Sequence, residues 1–158
     1  MADLDILLVR APWAEKLVKG QKQWELRSRP VKKRGPIAVG QTKAHLILGR
    51  VRMVDCHLAA VRGRSGKLEP PADCTSDDWL GNNENLKRHC VDMEQLPKTW
   101  KQVYAWVLSS AYEYPVPIPY KHVPGCQTWL VTKKKPVSGP TGRAQCKKRP
   151  ASSPVTRV

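Results

Sequence analysis

Apolar residues in this chain arrive in short runs, most with a repeat of two, and the runs are closed by proline, glycine or clustered charge. A repeat of two is the period of a strand whose alternate side chains face a core. Residues 4–9 (LDILLV) have strand length and read as buried. In residues 22–27 (KQWELR), Trp24 and Leu26 share one side, and Gln23, Glu25 and Arg27 share the other. Residues 37–41 and 45–56 read as two more strands, the second interrupted by Gly49, the mark of a bulge or of a close backbone approach. Residues 102–111 alternate so that both faces are largely covered. Pro115, Pro117 and Pro119 then punctuate an extended edge segment, and residues 128–132 close the fold. The tally is about six strands, with Trp24, Trp106 and Trp129 as core.

Helical spacing is confined to two places. Trp13, Leu17 and Val18 fall on one helix face, Pro12 suits a first turn, and Gly20 is a natural stop. Residues 62–75 read as an exposed loop. Thr75 or Ser76, followed by Asp77 and Asp78, reads as a cap for one broken helix or two short ones ending near Met93. The expected class is α+β, mostly β: a small, largely antiparallel barrel with peripheral helices.

Of the 158 residues, 28 are Lys or Arg and 13 are Asp or Glu, a formal charge of +15. Residues 133–158 hold eight of the cations and no acid, yet the remainder keeps a surplus of seven. A basic fold with a basic tail points to a polyanionic partner, whose condensed counterions are released on binding. The tail is rich in Pro, Ser, Gly, Lys and Arg and cannot repay its ordering entropy by burial, so it is expected to be disordered. Five cysteines without a Cys-x-x-Cys pair, and no apolar leader, point to a reducing, intracellular setting, cytoplasm or nucleus. No apolar run is long enough to span a membrane. Cys56-His57 and His89-Cys90 lack paired ligand spacing, so they read as buried thiols beside surface histidines; no metal and no cofactor is expected.

Arg10-Ala11-Pro12-Trp13-Ala14, then residues 20–27 (GQKQWELR), then residues 34–39 (RGPIAV) resemble, in that order, the ASCH family, a branch of the PUA-like β-barrels. The likeness continues through residues 48–56 (LGRVRMVDC), residues 104–108 (YAWVL) and Trp129, and covers roughly residues 4–132. It implies an ASCH domain over 1–132 with a tail over 133–158, and a cleft beside the early helix that takes RNA or a single nucleotide. Some bacterial relatives hydrolyse acetylated cytidine through the Lys and Thr of a G-x-K-T-x-T-x-R motif. Here Lys22 and Arg27 match that motif, but Gln23 and Glu25 stand where it has threonines. The Lys-x-x-Glu-x-Arg form is more similar to the ASCH domains of eukaryotic transcription coactivators, which are associated with binding.

The residues themselves suit such a cleft. Lys22 would bring a mobile point charge to a phosphate, and Arg27 a planar fork for phosphate or a base edge. Glu25 would orient Arg27 or accept from an exocyclic amine. Trp13 opens the helix, where it can stack on an unpaired base. Arg29, Lys32, Lys33 and Arg34 would form a phosphate-tracking wall, extended by Arg50 and Arg52 or leaving those two as a solvent face. The expected function is RNA binding, linked to transcription or RNA metabolism. One alternative is a hydrolase acting on RNA or a free modified nucleoside through Lys22 and Glu25; another is a protein-interaction module.

Overall fold

A computed structural model describes residues 4–131. The expected tail over 133–158 lies outside the described residues. Among the described residues, seven strands and two α-helices follow in the order β1 (Ile6–Val9), α1 (Trp13–Val18), β2 (Trp24–Arg27), β3 (Gly35–Gln41), β4 (Leu46–Arg62), β5 (Leu68–Glu69), α2 (Asn83–His89), β6 (Gln102–Pro119) and β7 (Trp129–Leu130), with a 3-10 turn at Met93–Gln95. The sheet order is β2-β6-β4-β3-β1-β7, with β5 paired to β4 off this path. Only β1 and β3 run parallel. That pair is the one joined by a crossover, through α1 and β2, as parallel neighbours require.

The long strands β4 and β6 bend at several register shifts, which lets one sheet curl into a small barrel. Leu7, Val9, Leu17, Val18, Ile37, Val39, Val51, Met53, Trp106 and Leu108 fill one core cluster. Trp24, Leu26, Ala59, Ala60, Leu80, Leu96, Val103 and Ala105 fill a second. Strand β6 feeds both, so both of its faces are covered there, as its alternation predicts. The two ends of the sheet are tied by side chains: Arg27 Nη2 on β2 donates to the Leu8 carbonyl on β1 (2.9 Å), and Trp106 stacks on Trp129 at 6.0 Å. Trp129, expected in the core, is only half-buried beside it.

Gly49 marks both features that its position suggested. The β4–β6 register shifts between Ile47 and Gly49, and an added Cβ would lie 2.1 Å from the Tyr112 carbonyl oxygen and 3.0 Å from Val18 Cγ1. Other expectations are corrected. Residues 115–119 continue β6 rather than forming a separate segment, and β4 runs on to Arg62 to pair with β5 inside the expected loop. The second helical region starts later than its acidic cap suggested. Leu80 is fully buried and its N–H donates to Ala59 O, so residues 75–82 fold as turns against the barrel. The N-cap of α2 is Asn82, whose side chain accepts from Glu84 N (2.9 Å). Pro12 stands at the N-cap of α1, one residue before the first turn.

Candidate functional site

Helix α1 ends in a Schellman motif. Gly20, at φ +77°, donates to Leu17 O (3.2 Å) and Gln21 to Lys16 O (2.9 Å). The Lys22 N–H also reaches Lys16 O (3.0 Å). This tight reversal turns the chain from α1 into β2 and sends the Lys22 side chain inward, where the residue is 2% exposed. Its Nζ donates to the His89 carbonyl, lies 3.8 Å from Glu25 Oε1, and sits over the Trp13 ring at 5.4 Å. Burial pushes the ammonium below the usual lysine range, and the Glu25 carboxylate partly opposes that shift.

Glu25 and Arg27 complete a buried network. Glu25 Oε2 accepts from Arg27 Nε (2.9 Å) and pairs with Nη2 (2.7 Å), while the guanidinium lies over Trp106 at 5.6 Å. The fork of Arg27 thus holds a carboxylate on its own strand and a carbonyl across the barrel seam at once, which a lysine cannot do.

The other half of the network is the end of α2. Cys90, in the left-handed region at φ +61°, caps the helix through its N–H to Leu86 O. The helix C-terminus carries partial negative charge, which suits the Lys22 ammonium at His89 O. His89 is fully buried, which corrects the expectation of a surface histidine. Its Nδ1 accepts from the Val91 N–H (3.0 Å), so its proton sits on Nε2 and points to Leu80 O (3.0 Å). Burial, and then the nearby Lys22, hold this imidazole below the ordinary range despite that bond to Leu80. The buried Asn85 anchors α2 by donating to Asp77 O (2.8 Å) and Trp79 O (2.7 Å).

Above this network opens a cleft of about 540 Å³. Its lining includes Trp13, Lys22, Glu25 and Arg27, so four of the eight residues singled out from sequence meet in one place. Lys22 is not the mobile cation expected there; its ammonium is fixed in the floor. Arg29, Lys32, Lys33 and Arg34 do not line the cleft. Arg29 is exposed and its carbonyl accepts from Trp106 Nε1 (2.9 Å). Lys33 pairs with Asp5, Arg34 reaches Asp55 at 4.0 Å, and Lys32 is exposed. Arg50 and Arg52 are exposed on β4 away from the cleft, with Arg50 over Tyr112 at 5.2 Å.

The sequence reading missed Arg10, Thr42, Lys43 and Trp100, which also line the cleft. Arg10 and Lys43 are exposed cations, and Trp100 is half-buried. The one signal for Trp100 was a tryptophan in a Pro- and Lys-rich stretch with no strand or helix period to claim it. The volume suits one nucleotide-sized ligand. Aromatic faces, a fixed carboxylate and exposed cations can together stack a planar group, accept from its polar edge and hold an anion.

The ASCH domain family model matches residues 7–116. No curated protein matches the sequence. Among solved structures, the fold is similar to a crystal structure of ASCH from Zymomonas mobilis, with a TM-score of 0.60 and 13% identity over 82% of this chain and 87% of that one. A tyrosine-to-phenylalanine mutant of that protein aligns with a TM-score of 0.61 and 13% identity, over 84% of this chain and 92% of that one. A serine-to-alanine mutant aligns with a TM-score of 0.60 and 12% identity, over 82% and 88%.

Proposed function

This chain belongs to the ASCH domain family, and from that premise we propose that it is a noncatalytic module binding single-stranded RNA, with one unpaired nucleotide seated in the cleft. The observation that carries this reading is the joint lining of one 540 Å³ cleft by Trp13, Trp100 and the Lys22–Glu25–Arg27 network. A base stacks on tryptophan, worth about 1–3 kcal/mol per base. Glu25 Oε2 is taken by Arg27, whereas Oε1 lies 3.8 Å from Lys22 Nζ and keeps capacity to accept from a base amine. Arg10 and Lys43 at the rim meet the flanking phosphates. The loop cations Arg29, Lys32, Lys33 and Arg34, and the basic tail, add weaker contacts to a longer strand.

The Lys22-x-x-Glu25-x-Arg27 pattern supports a coactivator-like role, in transcription or RNA metabolism inside the cell, in nucleus or cytoplasm. A hydrolase acting on RNA or a modified nucleoside is the second reading, favoured by a buried lysine of lowered proton affinity 3.8 Å from a carboxylate. Against it, the Lys22 ammonium is committed to the His89 carbonyl, and the motif's hydroxyl positions hold Gln23 and Glu25.

The test measures binding of a labelled single-stranded RNA to the full chain, to Trp100→Ala and to a chain ending at 132. The proposal expects the Trp100 substitution to weaken binding more than tail removal does. Binding that depends on the tail alone refutes it. Release of product from RNA or from acetylated cytidine would favour the second reading.

A further inference from the structure

The turn between β3 and β4, residues 42–45, gives up stability in two independent ways. The hydroxyl oxygen of Thr42 is shut off from solvent and has no hydrogen-bond partner among the described residues. A buried polar atom left in that state is unfavourable, and a valine of the same shape would avoid it. In addition, Lys43 lies at φ +70° and His45 at φ +56°, in the left-handed region where a side chain is disfavoured and glycine is at ease. The surroundings hold this geometry in place. Thr42 N donates to Val9 O (3.0 Å), His45 N to Gln41 O (3.0 Å), and Tyr120 N to His45 O (3.0 Å).

Locally unfavourable features that surrounding structure keeps in place concentrate where a protein meets its ligand. Both kinds occur here within four residues, and Thr42 and Lys43 line the same cleft as Trp13 and Glu25. We infer that this turn is a recognition element of the cleft: Thr42 gives its hydroxyl to a polar group of the bound nucleotide, and Lys43 gives its ammonium to the adjoining phosphate. The inference rests on the nucleotide-binding reading above and assigns the contacts that reading leaves open. Among the described residues, no partner holds the hydroxyl in its present orientation. Exchange between the staggered χ1 positions of threonine turns it toward an arriving ligand. The left-handed backbone at Lys43 keeps a cation at the rim, where a glycine would close the turn with less strain.

The two variants carry a signature that a merely structural turn would not give: the free protein gains stability while binding weakens. Thr42→Val in the full chain is expected to raise Tm by a few degrees in the absence of RNA. The same variant should weaken affinity for a mixed-sequence, single-stranded RNA oligomer about tenfold, whereas Thr42→Ser keeps it. Lys43→Gly is expected to hold or raise Tm and to lower the slope of log K against log salt by about one. Wild-type affinity in Thr42→Val, a lowered Tm in that variant, or an unchanged salt slope in Lys43→Gly overturns the inference. Should Trp100→Ala lose binding while both turn variants keep it, the recognition turn is wrong and the cleft reading stands. If Trp100→Ala binds RNA as well as wild type, both fall.

Discussion

The ammonium of Lys22 donates to the backbone carbonyl of His89, 67 residues further along the chain. This bond joins the turn after α1 to the C-terminus of α2 beneath the cleft. The same lysine is therefore both buried in the fold and part of the cleft lining. Its loss leaves a buried carbonyl without its donor and Glu25 with one cation fewer.

Lys22→Met should therefore lower folding stability by about 2–4 kcal/mol, read as a shift in the urea midpoint. A surface cation would shift it by less than about 1 kcal/mol. It follows that lost RNA binding in a Lys22 variant is interpretable only after its folding has been checked, and the same check applies to Trp100, which packs half-buried against the second core cluster.

His89 links the network to pH. Its folded imidazole holds a proton less readily than the ordinary value of 6.5. Below that value the unfolded chain takes up a proton that the folded chain refuses, so stability falls as pH drops from 6.5 toward the lowered folded value. Denaturation series between pH 7.5 and about pH 5 should show this decline. His89→Gln, less stable at neutral pH, should show a shallower one; an equal slope in both proteins would exclude His89 as the source.

Gly49→Ala places a methyl group against the Tyr112 carbonyl, 2.1 Å away before any relaxation. The clash is with backbone rather than with a flexible side chain, so strands β4 and β6 must separate locally. A loss of about 1–3 kcal/mol is expected in thermal or chemical unfolding. Gly66 is a useful control: it stands at φ +86° with nothing near an added Cβ, so Gly66→Ala strains the backbone alone.

Binding should be strongly salt-dependent in the wild-type chain, because exposed cations such as Arg10 and Lys43 replace condensed counterions. Trp100→Ala should weaken affinity about fivefold to a hundredfold with the salt slope unchanged, since stacking involves no ion release. A variant that alters the slope and leaves the salt-independent part intact would place Trp100 outside the contact. Fluorescence anisotropy across a salt series separates these outcomes.

Local pattern alone determined much of this protein. Period-two alternation in residues 22–27 and 102–111, Gly20 as a helix stop and Gly49 as a close approach all follow from forces acting within a few residues, or from side-chain shape, whereas the Lys22–Glu25–Arg27 grouping came with the resemblance to the ASCH family. The tertiary structure decided what those residues face. Lys22 and His89 both looked like surface groups, because nothing near them in sequence reveals a partner 67 positions away. Leu80 drew residues 75–82 out of helix by burying itself against β4, a gain that no local propensity records. Trp100, Thr42 and Lys43 entered the cleft from a stretch without periodicity and from a turn, where sequence spacing carries no directional information. Chain order fixes local conformation through short-range sterics and alternation; the cleft exists only where distant segments share desolvated space.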